Sequence, residues 1–249
     1  MKILDVTYHN HTVSEALNII SKYLNSIDKC SIFFLNADCL RQAQKDTQYR
    51  EILNCSDLVL SDGIGLRMAT RLFGGKMIDN CNGTDLSPLI MKEAADRGYK
   101  IFFLGGIEGI ADKAAQNMRK KIPGIKIVGT HSGYFTSDED VVKQINQSEA
   151  NILFVALGAP IQEKWIFKNR NKLQPKVCLG VGALLDYLSG TIPRAPMWMR
   201  QMHIEWFWRI FIDPRRMFKR YFIDGVGFLI WLIYFRIFKS NTLLRKHKS

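Results

Sequence analysis

The sequence predicts an α/β fold, a parallel sheet flanked by helices, with a helical and basic C-terminal appendage. Three observations carry this. Short, continuously apolar runs rich in Val, Ile and Phe recur from Ile3 to Leu179. Segments of helical period separate them. Near Pro193 the composition turns abruptly to Trp, Met and Arg. Continuous apolar runs are how strands buried on both faces of a parallel sheet read, and their alternation with helices implies right-handed crossovers.

In chain order, strands are expected at Ile3–Thr7, Ser31–Leu35, Leu58–Leu60, Lys100–Leu104, Lys126–Gly129, Ile152–Leu157 and Lys176–Leu179. Helices are expected at Val13–Leu24, Leu40–Asn54, Ile64–Leu72, Leu86–Arg97, Gly109–Lys121, Glu139–Ile145 and Gln162–Leu173. Such a Rossmann-like arrangement fills residues 1–193, and residues 194–249 form the appendage. The run VGFLIWLIYF over Val226–Phe235 is too short for a membrane-spanning helix, which needs about 20 apolar residues. Interleaved aromatic and basic residues suit a helix lying in the bilayer interface, and a packed helix pair is the plainer alternative.

The charge supports the membrane reading. Residues 194–249 hold twelve Lys/Arg against three Asp/Glu, +9 of the chain's +12. An anionic surface is the expected partner of such a tail. The N-terminus lacks the apolar core of a signal peptide, so a cytosolic chain at the inner face of the plasma membrane is expected. Cys30, Cys39, Cys55, Cys81 and Cys178 show no CxxC spacing and read as buried free thiols.

In parallel sheets ligands bind beyond the carboxyl ends of the strands. There the chain places Asn36-Ala37-Asp38, Ser61-Asp62-Gly63-Ile64-Gly65, Gly105-Gly106, Gly133-Tyr134-Phe135, Gly158-Ala159-Pro160-Ile161-Gln162-Glu163 and Gly180-Val181-Gly182-Ala183, with Asp186 a helical turn further on. Glycines let backbone N–H groups approach an anion, and helix starts favour phosphate. Asp62 reads equally as a general base or as an N-cap. Asp38 and Asp85 read as caps, with Thr84-Asp85 ahead of a helix that carries Pro88 in its first turn. Asp138-Glu139-Asp140 matches a literal Asp-x-Asp but reads as helix-start acids. His203 reads as packed. No metal site and no cofactor are expected, and neither GxGxxG nor GxxxxGK[ST] is present, so a dehydrogenase or P-loop enzyme is unsupported. Arg194, Arg200, Arg209, Arg215, Arg216 and Arg220 suit a diphosphate.

The order of these motifs resembles the WecG/TagA/CpsF family of bacterial glycosyltransferases. The resemblance rests on Asn36-Ala37, Ser61-Asp62-Gly63-x-Gly65, Gly83-Thr84-Asp85-Leu86, Phe103-Leu104-Gly105-Gly106, Gly133-Tyr134-Phe135, Gly158-x-Pro160-x-Gln162-Glu163, Gly180-Val181-Gly182-Ala183-x-x-Asp186 and Gly190-x-x-x-Arg194-Ala195-Pro196, with Glu205-Trp206, Arg209, Pro214-x-Arg216 and Arg220-Tyr221 in the tail. It implies an inverting, metal-independent transferase. The sugar, N-acetylmannosamine or its uronic acid, passes from UDP to a polyprenyl-diphosphate-linked sugar in teichoic acid or surface polysaccharide synthesis. The family's base falls on Asp62, its nucleotide-binding glutamine on Gln162 and its glycine pair on Gly105 and Gly106, with the diphosphate near these. The aspartate after G-x-G-A falls on Asp186.

The resemblance extends the candidate substrate-binding set to Asn36, Asn80, Thr84, Tyr134, Gly158, Glu163, Arg194, Arg209, Arg216 and Arg220. Position 80 departs from the pattern, since Asn stands where many members carry Arg. Ile161 stands where many carry Lys. Two rival readings stand beside the transferase: a membrane-tethered UDP-sugar sensor or scaffold, and polyanion binding by the tail. The apolar run argues against nucleic acid as the partner. Self-association of the apolar tail is a further expectation.

Overall fold

The computed structural model describes residues 1–202, 205–212, 214–218 and 225–238. The chain starts with a hairpin, β1 (Lys2–Ile3) and β2 (Val6–Thr7), where the apolar pattern predicts one strand over Ile3–Thr7. Leu4 and Asp5 adopt φ of 48° and 62°, the left-handed pair that a two-residue turn between antiparallel strands demands. Asp tolerates the left-handed region but Leu does not signal it, so the apolar pattern conceals the turn.

Among the described residues, β3 (Cys30–Leu35), β4 (Leu58–Ser61), β5 (Lys100–Gly105), β6 (Lys126–His131), β7 (Ile152–Ala156) and β8 (Val177–Gly180) form one sheet. Its order is β4-β3-β8-β7-β5-β6, and every pairing is parallel. The α/β expectation therefore holds. Side chains alternate between two cores. Ile32, Phe34, Leu58, Leu60, Phe103 and Phe154 face one, and Phe33, Leu35, Val59, Phe102, Leu104 and Val155 face the other. Because both faces of each strand are buried, the runs look continuously apolar. Full burial of a side chain such as Phe102 contributes roughly 1.5–3 kcal/mol.

The first core is closed by α1 (Val13–Asn25), α5 (Gly83–Arg97), α6 (Ile110–Lys121) and α9 (Leu184–Ser189). The second is closed by α2 (Ala37–Lys45), α3 (Thr47–Asn54), α4 (Gly63–Leu72), α7 (Asp138–Gln147) and α8 (Ile161–Asn169). The single helix expected over Leu40–Asn54 is two. Asp46, at φ −118° and ψ 98°, ends α2 and caps α3 by accepting the Tyr49 N–H at 2.9 Å. A short acid that caps locally outcompetes helix continuation there. Helix α9 has no counterpart among the expected helices, and α2 and α5 start at Ala37 and Gly83, ahead of the expected Leu40 and Leu86.

Past Pro193 lie α10 (Met197–Gln201), α11 (Glu205–Ile212), α12 (Pro214–Phe218) and α13 (Val226–Phe238). Trp208 Nε1 donates to the Pro193 carbonyl at 3.1 Å. The apolar run is helix α13, and it packs back on α4. Phe228 and Leu232 enter the second core, and Phe235 meets Phe73 at the end of α4 with ring centroids 6.4 Å apart. Ile230, Ile233, Tyr234 and Ile237 remain exposed. Among the described residues no helix is long and apolar enough to cross a membrane. Four of the five cysteines are buried free thiols as expected, whereas Cys55 at the C-cap of α3 is exposed.

Candidate active site

A sheet in which every strand runs one way gathers all carboxyl ends along one edge. Read across that edge, the order is Asp62 after β4, Asn36 after β3, the Gly182 turn after β8, Gly158 after β7, Gly105-Gly106 at β5 and Gly133-Tyr134 after β6. The helix after β5 lies on one face and the helix after β7 on the other. These neighbouring strands therefore form a topological switch point, where a parallel sheet opens a crevice.

Asp62 occupies the N-cap position of α4, at φ −130° and ψ 116°, yet its side chain makes no capping hydrogen bond. Instead Gly63 N–H donates to Asn80 Oδ1 at 2.7 Å. Asn36 caps α2 by accepting Cys39 N–H at 2.9 Å, and its Nδ2 faces Asp62 Oδ2 at 3.4 Å. Two asparagines thus serve the helix starts, and the Asp62 carboxylate stays at the half-buried rim. The cap reading of Asp62 is therefore not what its side chain does.

At the switch point Gly105 (φ +137°) and Gly106 (φ +73°) are both left-handed. A Cβ on Gly105 would fall on the Ala156 carbonyl, and one on Gly106 would lie 2.6 Å from Ile110 Cγ2. Gly133 N–H donates to the Gly106 carbonyl at 2.7 Å, joining the β6 loop to the pair. Tyr134 projects from that loop, 79 % exposed. It borders an open depression of about 630 Å³ shared with Glu108, His131, Phe135 and Ser137.

Gly158 (φ +79°) ends the β7 turn, and its carbonyl accepts Gln162 N–H at 3.0 Å. The Gln162 side chain is 4 % exposed. Its Oε1 accepts Gly182 N–H at 2.9 Å and its Nε2 donates to Glu163 Oε1 at 3.0 Å. Glu163 is 1 % exposed, and burial pushes its carboxyl up to about 7. Both side chains therefore stand behind the rim. Asp186 lies in the first turn of α9, and its carbonyl accepts Ile192 N–H at 3.2 Å.

The start of α5 holds Thr84 and Asp85, but Asn82 is its cap, with Oδ1 accepting Asp85 N–H at 2.9 Å. Asp38 likewise sits inside α2, where it pairs with Arg41 at 2.7 Å. Both aspartates are corrected from caps to first-turn acids, because the preceding asparagines already satisfy the free N–H groups. Arg194 reaches back to α5. Its guanidinium lies 2.5 Å from Asp85 Oδ1, 3.4 Å from the Thr84 carbonyl and 3.8 Å from Glu205 Oε2.

Asp138 and its neighbours are helix-start acids as expected, under a Ser137 cap. Asp138 accepts Trp165 Nε1 at 2.9 Å and Lys168 Nζ at 2.7 Å; the Lys168 bond chiefly holds its carboxyl below the usual range. His203, Arg220 and the side chains of Arg200, Arg209 and Arg216 lie outside the described residues.

The rim thus carries the Asp62 carboxylate at one end and a glycine-lined crevice beside β5 and β7. The family model for the glycosyl transferase WecG/TagA/CpsF family matches residues 1–242. The chain belongs to this family. It is a glycosyltransferase. Its relatives include an N-acetylglucosaminyldiphosphoundecaprenol N-acetyl-β-D-mannosaminyltransferase of Bacillus subtilis (strain 168), 31 % identical over 215 residues, 86 % of this chain and 84 % of the relative. The enzymes of the same description from Bacillus spizizenii and Staphylococcus aureus (strain MRSA252) are 30 % identical (78 % and 76 % covered) and 28 % identical (86 % and 85 %).

Sequence reasoning missed what Asn80 and Asn82 do. Asn82 was legible in principle, since Asn three residues before Asp at a helix start is a capping signature. The Asn80 bond to Gly63 joins two separate loops, and no local pattern signals it.

Proposed function

We propose that this glycosyltransferase moves N-acetylmannosamine, or a close relative such as its uronic acid, from UDP to a polyprenyl-diphosphate-linked N-acetylglucosamine, with Asp62 as general base. The observation that carries the base assignment is an aspartate at a helix N-cap whose carboxylate is left out of the cap. The transferred N-acetylmannosamine and the polyprenyl-diphosphate-linked acceptor are supported by the description shared by the three relatives.

The order of loops along the rim supports one layout. Strands are about 4.8 Å apart, so Asp62 stands roughly 14 Å from the end of β7 and roughly 19 Å from the end of β5. A diphosphate centred on Gly105 and Gly106 alone would keep the sugar out of reach of Asp62. In our reading the nucleoside lies toward Tyr134, which offers an exposed ring for a base. The diphosphate crosses from the glycine pair to the start of α8, where the helix dipole favours it. The sugar rests over β8 and β3. Asp62 takes the proton from the acceptor hydroxyl as that oxygen attacks the anomeric carbon. UDP leaves from the opposite face, so configuration inverts.

We assign Thr84 and Asp186 to the edge of this space, together with Arg194, which pairs with Asp85. Arg209, Arg216 and Arg220 are proposed to cover the departing diphosphate, with no metal required. Residues 194–249 form the part that meets an anionic membrane surface at the cytoplasmic face, where the lipid-linked acceptor arrives. The exposed face of α13 and the +9 charge support that reading. When no membrane is present, self-association would shield the same face.

The test is transfer from UDP-N-acetylmannosamine to a short-chain polyprenyl-diphosphate-N-acetylglucosamine with EDTA present, read by UDP release and product mass. A lipid product heavier by one N-acetylhexosamine is expected. UDP binding without transfer from any donor would favour a sensor, and activity lost to EDTA would overturn metal independence.

A further inference from the structure

Behind the rim lies a group of buried polar side chains that the reaction itself does not use. Glu163 of α8 is 1 % exposed, Tyr49 of α3 is fully buried, and Cys39 of α2 is 4 % exposed. Burial, with Glu163 nearby, pushes the Cys39 thiol up to about 12 and the Tyr49 hydroxyl up as well. Glu163 Oε1 accepts the Gln162 amide, while Oε2 has no hydrogen-bond partner among the described residues. A buried carboxyl left half-unpaired costs folding free energy. Its position therefore calls for a purpose other than stability.

Gln162 shows what that purpose is. Its amide can sit either way round in the same space. Gly182 N–H is a donor and needs the oxygen, at 2.9 Å. The nitrogen must then face Glu163, where only an acceptor satisfies it. Space around the amide is tight, since a Cβ on Gly180 would lie 3.0 Å from Gln162 Nε2. The Gly182 turn (φ +56°) continues β8, under the part of the rim where the donor sugar was placed.

We propose that Glu163 is a positioning residue: its carboxyl oxygen fixes the orientation of the Gln162 amide, and through it the Gly182 turn that supports the donor. This rests on the donor layout proposed above. It moves Glu163 from the substrate-binding set to a role one step removed. Glu163 never meets the substrate and acts through the Gln162–Gly182 bond. Any side chain with an acceptor oxygen at that place preserves the turn. One without it leaves the buried Gln162 nitrogen with no acceptor on that side, and the strain loosens the Gln162–Gly182 bond.

Glu163→Leu fills similar space and removes the acceptor, whereas Glu163→Gln keeps an acceptor oxygen. In the full chain, Glu163→Leu is expected to raise the KM and Kd for the UDP-sugar at least tenfold with kcat changed less than threefold, the signature of lost binding. Hydrogen exchange at the Gly182 amide should quicken at least tenfold in the same variant. Glu163→Gln should restore both to within threefold of wild type. Equal donor affinity and equal Gly182 exchange in Glu163→Leu and wild type would overturn the proposal. Should Glu163→Leu not fold, Glu163→Asp asks the same question, because it draws the acceptor back by roughly 1.5 Å and should reproduce the loss. A wild-type protein that binds no UDP-sugar would instead overturn the donor reading, and the Gly182 exchange comparison would still decide the role of Glu163.

Discussion

Replacing Glu163 by Gln should make the stability of the protein less sensitive to alkali. The Glu163 carboxyl is 1 % exposed, and its pKa is raised from 4.5 to about 7 by burial, with the Gln162 hydrogen bond opposing. In the unfolded chain the same group ionises near its ordinary value. A raised folded pKa means that the protonated form is the one the fold favours. The cost of burying it is smallest below pH 4.5, where both states are protonated, so folding stability falls as pH rises toward 7; above 7 the loss is constant. At 1.36 kcal/mol per pKa unit the full effect is about 3 kcal/mol, and roughly 2 kcal/mol of it falls between pH 5 and pH 8. A glutamine has no such titration. Urea unfolding of wild type and Glu163→Gln at pH 5 and pH 8 measures the difference directly, because all other titrating groups are shared. The variant should gain about 2 kcal/mol relative to wild type on going from pH 5 to pH 8. In a domain of this size that is roughly 4–8 °C in the melting midpoint. A difference between the two proteins that is the same at both pH values would refute the reasoning, since it would mean that Glu163 is not held protonated by burial.

Four further outcomes are expected. Asp62→Asn should keep UDP-sugar affinity within about twofold while turnover falls about 10²–10⁴-fold, measured by calorimetry and single-turnover transfer; near-wild-type turnover would remove Asp62 from the mechanism. Gly105→Ala should lower stability and abolish UDP binding, because its φ of +137° and the Ala156 carbonyl leave no place for a Cβ; thermal melts and UDP titration check it. His9 Nδ1 accepts Val59 N–H at 3.0 Å, and burial followed by the nearby His11 lowers its pKa. The stability that neutral His9 gives is therefore present above its ordinary pKa of about 6.5 and is lost as pH falls below it, so exchange at the Val59 amide should quicken at pH 5 beyond the intrinsic rate change. Finally, the full chain should sediment with vesicles containing anionic lipid and be released by salt, and should bind neutral vesicles more weakly.

Much of the fold was legible because it is written locally. Six apolar runs became the six parallel strands, and the glycines placed beyond them do lie in the turns at the carboxyl edge. The failures share a cause. The turn at Leu4-Asp5, the break at Asp46 and the start of α5 at Gly83 each depend on one residue's backbone choice, which a hydrophobic pattern averages over. Within the site, Asp62 could be found but not assigned. Whether its carboxylate caps α4 or faces the rim depends on Asn36 and Asn80, which approach from other loops.

By itself the sequence determined the class of fold, the loops that share the carboxyl edge of the sheet, the family and the clustering of positive charge beyond Pro193. Each of these rests on periodicity, residue type or motif order, which short stretches of chain carry alone. Only the tertiary structure decided the order β4-β3-β8-β7-β5-β6, and with it which loops are neighbours on the rim. It also decided that Gln162 and Glu163 stand behind the rim, that Arg194 is held by Asp85, and that α13 returns to pack on α4. Those are contacts between residues distant along the chain. They arise when each helix and strand buries the face its neighbours leave open, a choice made jointly by the whole core.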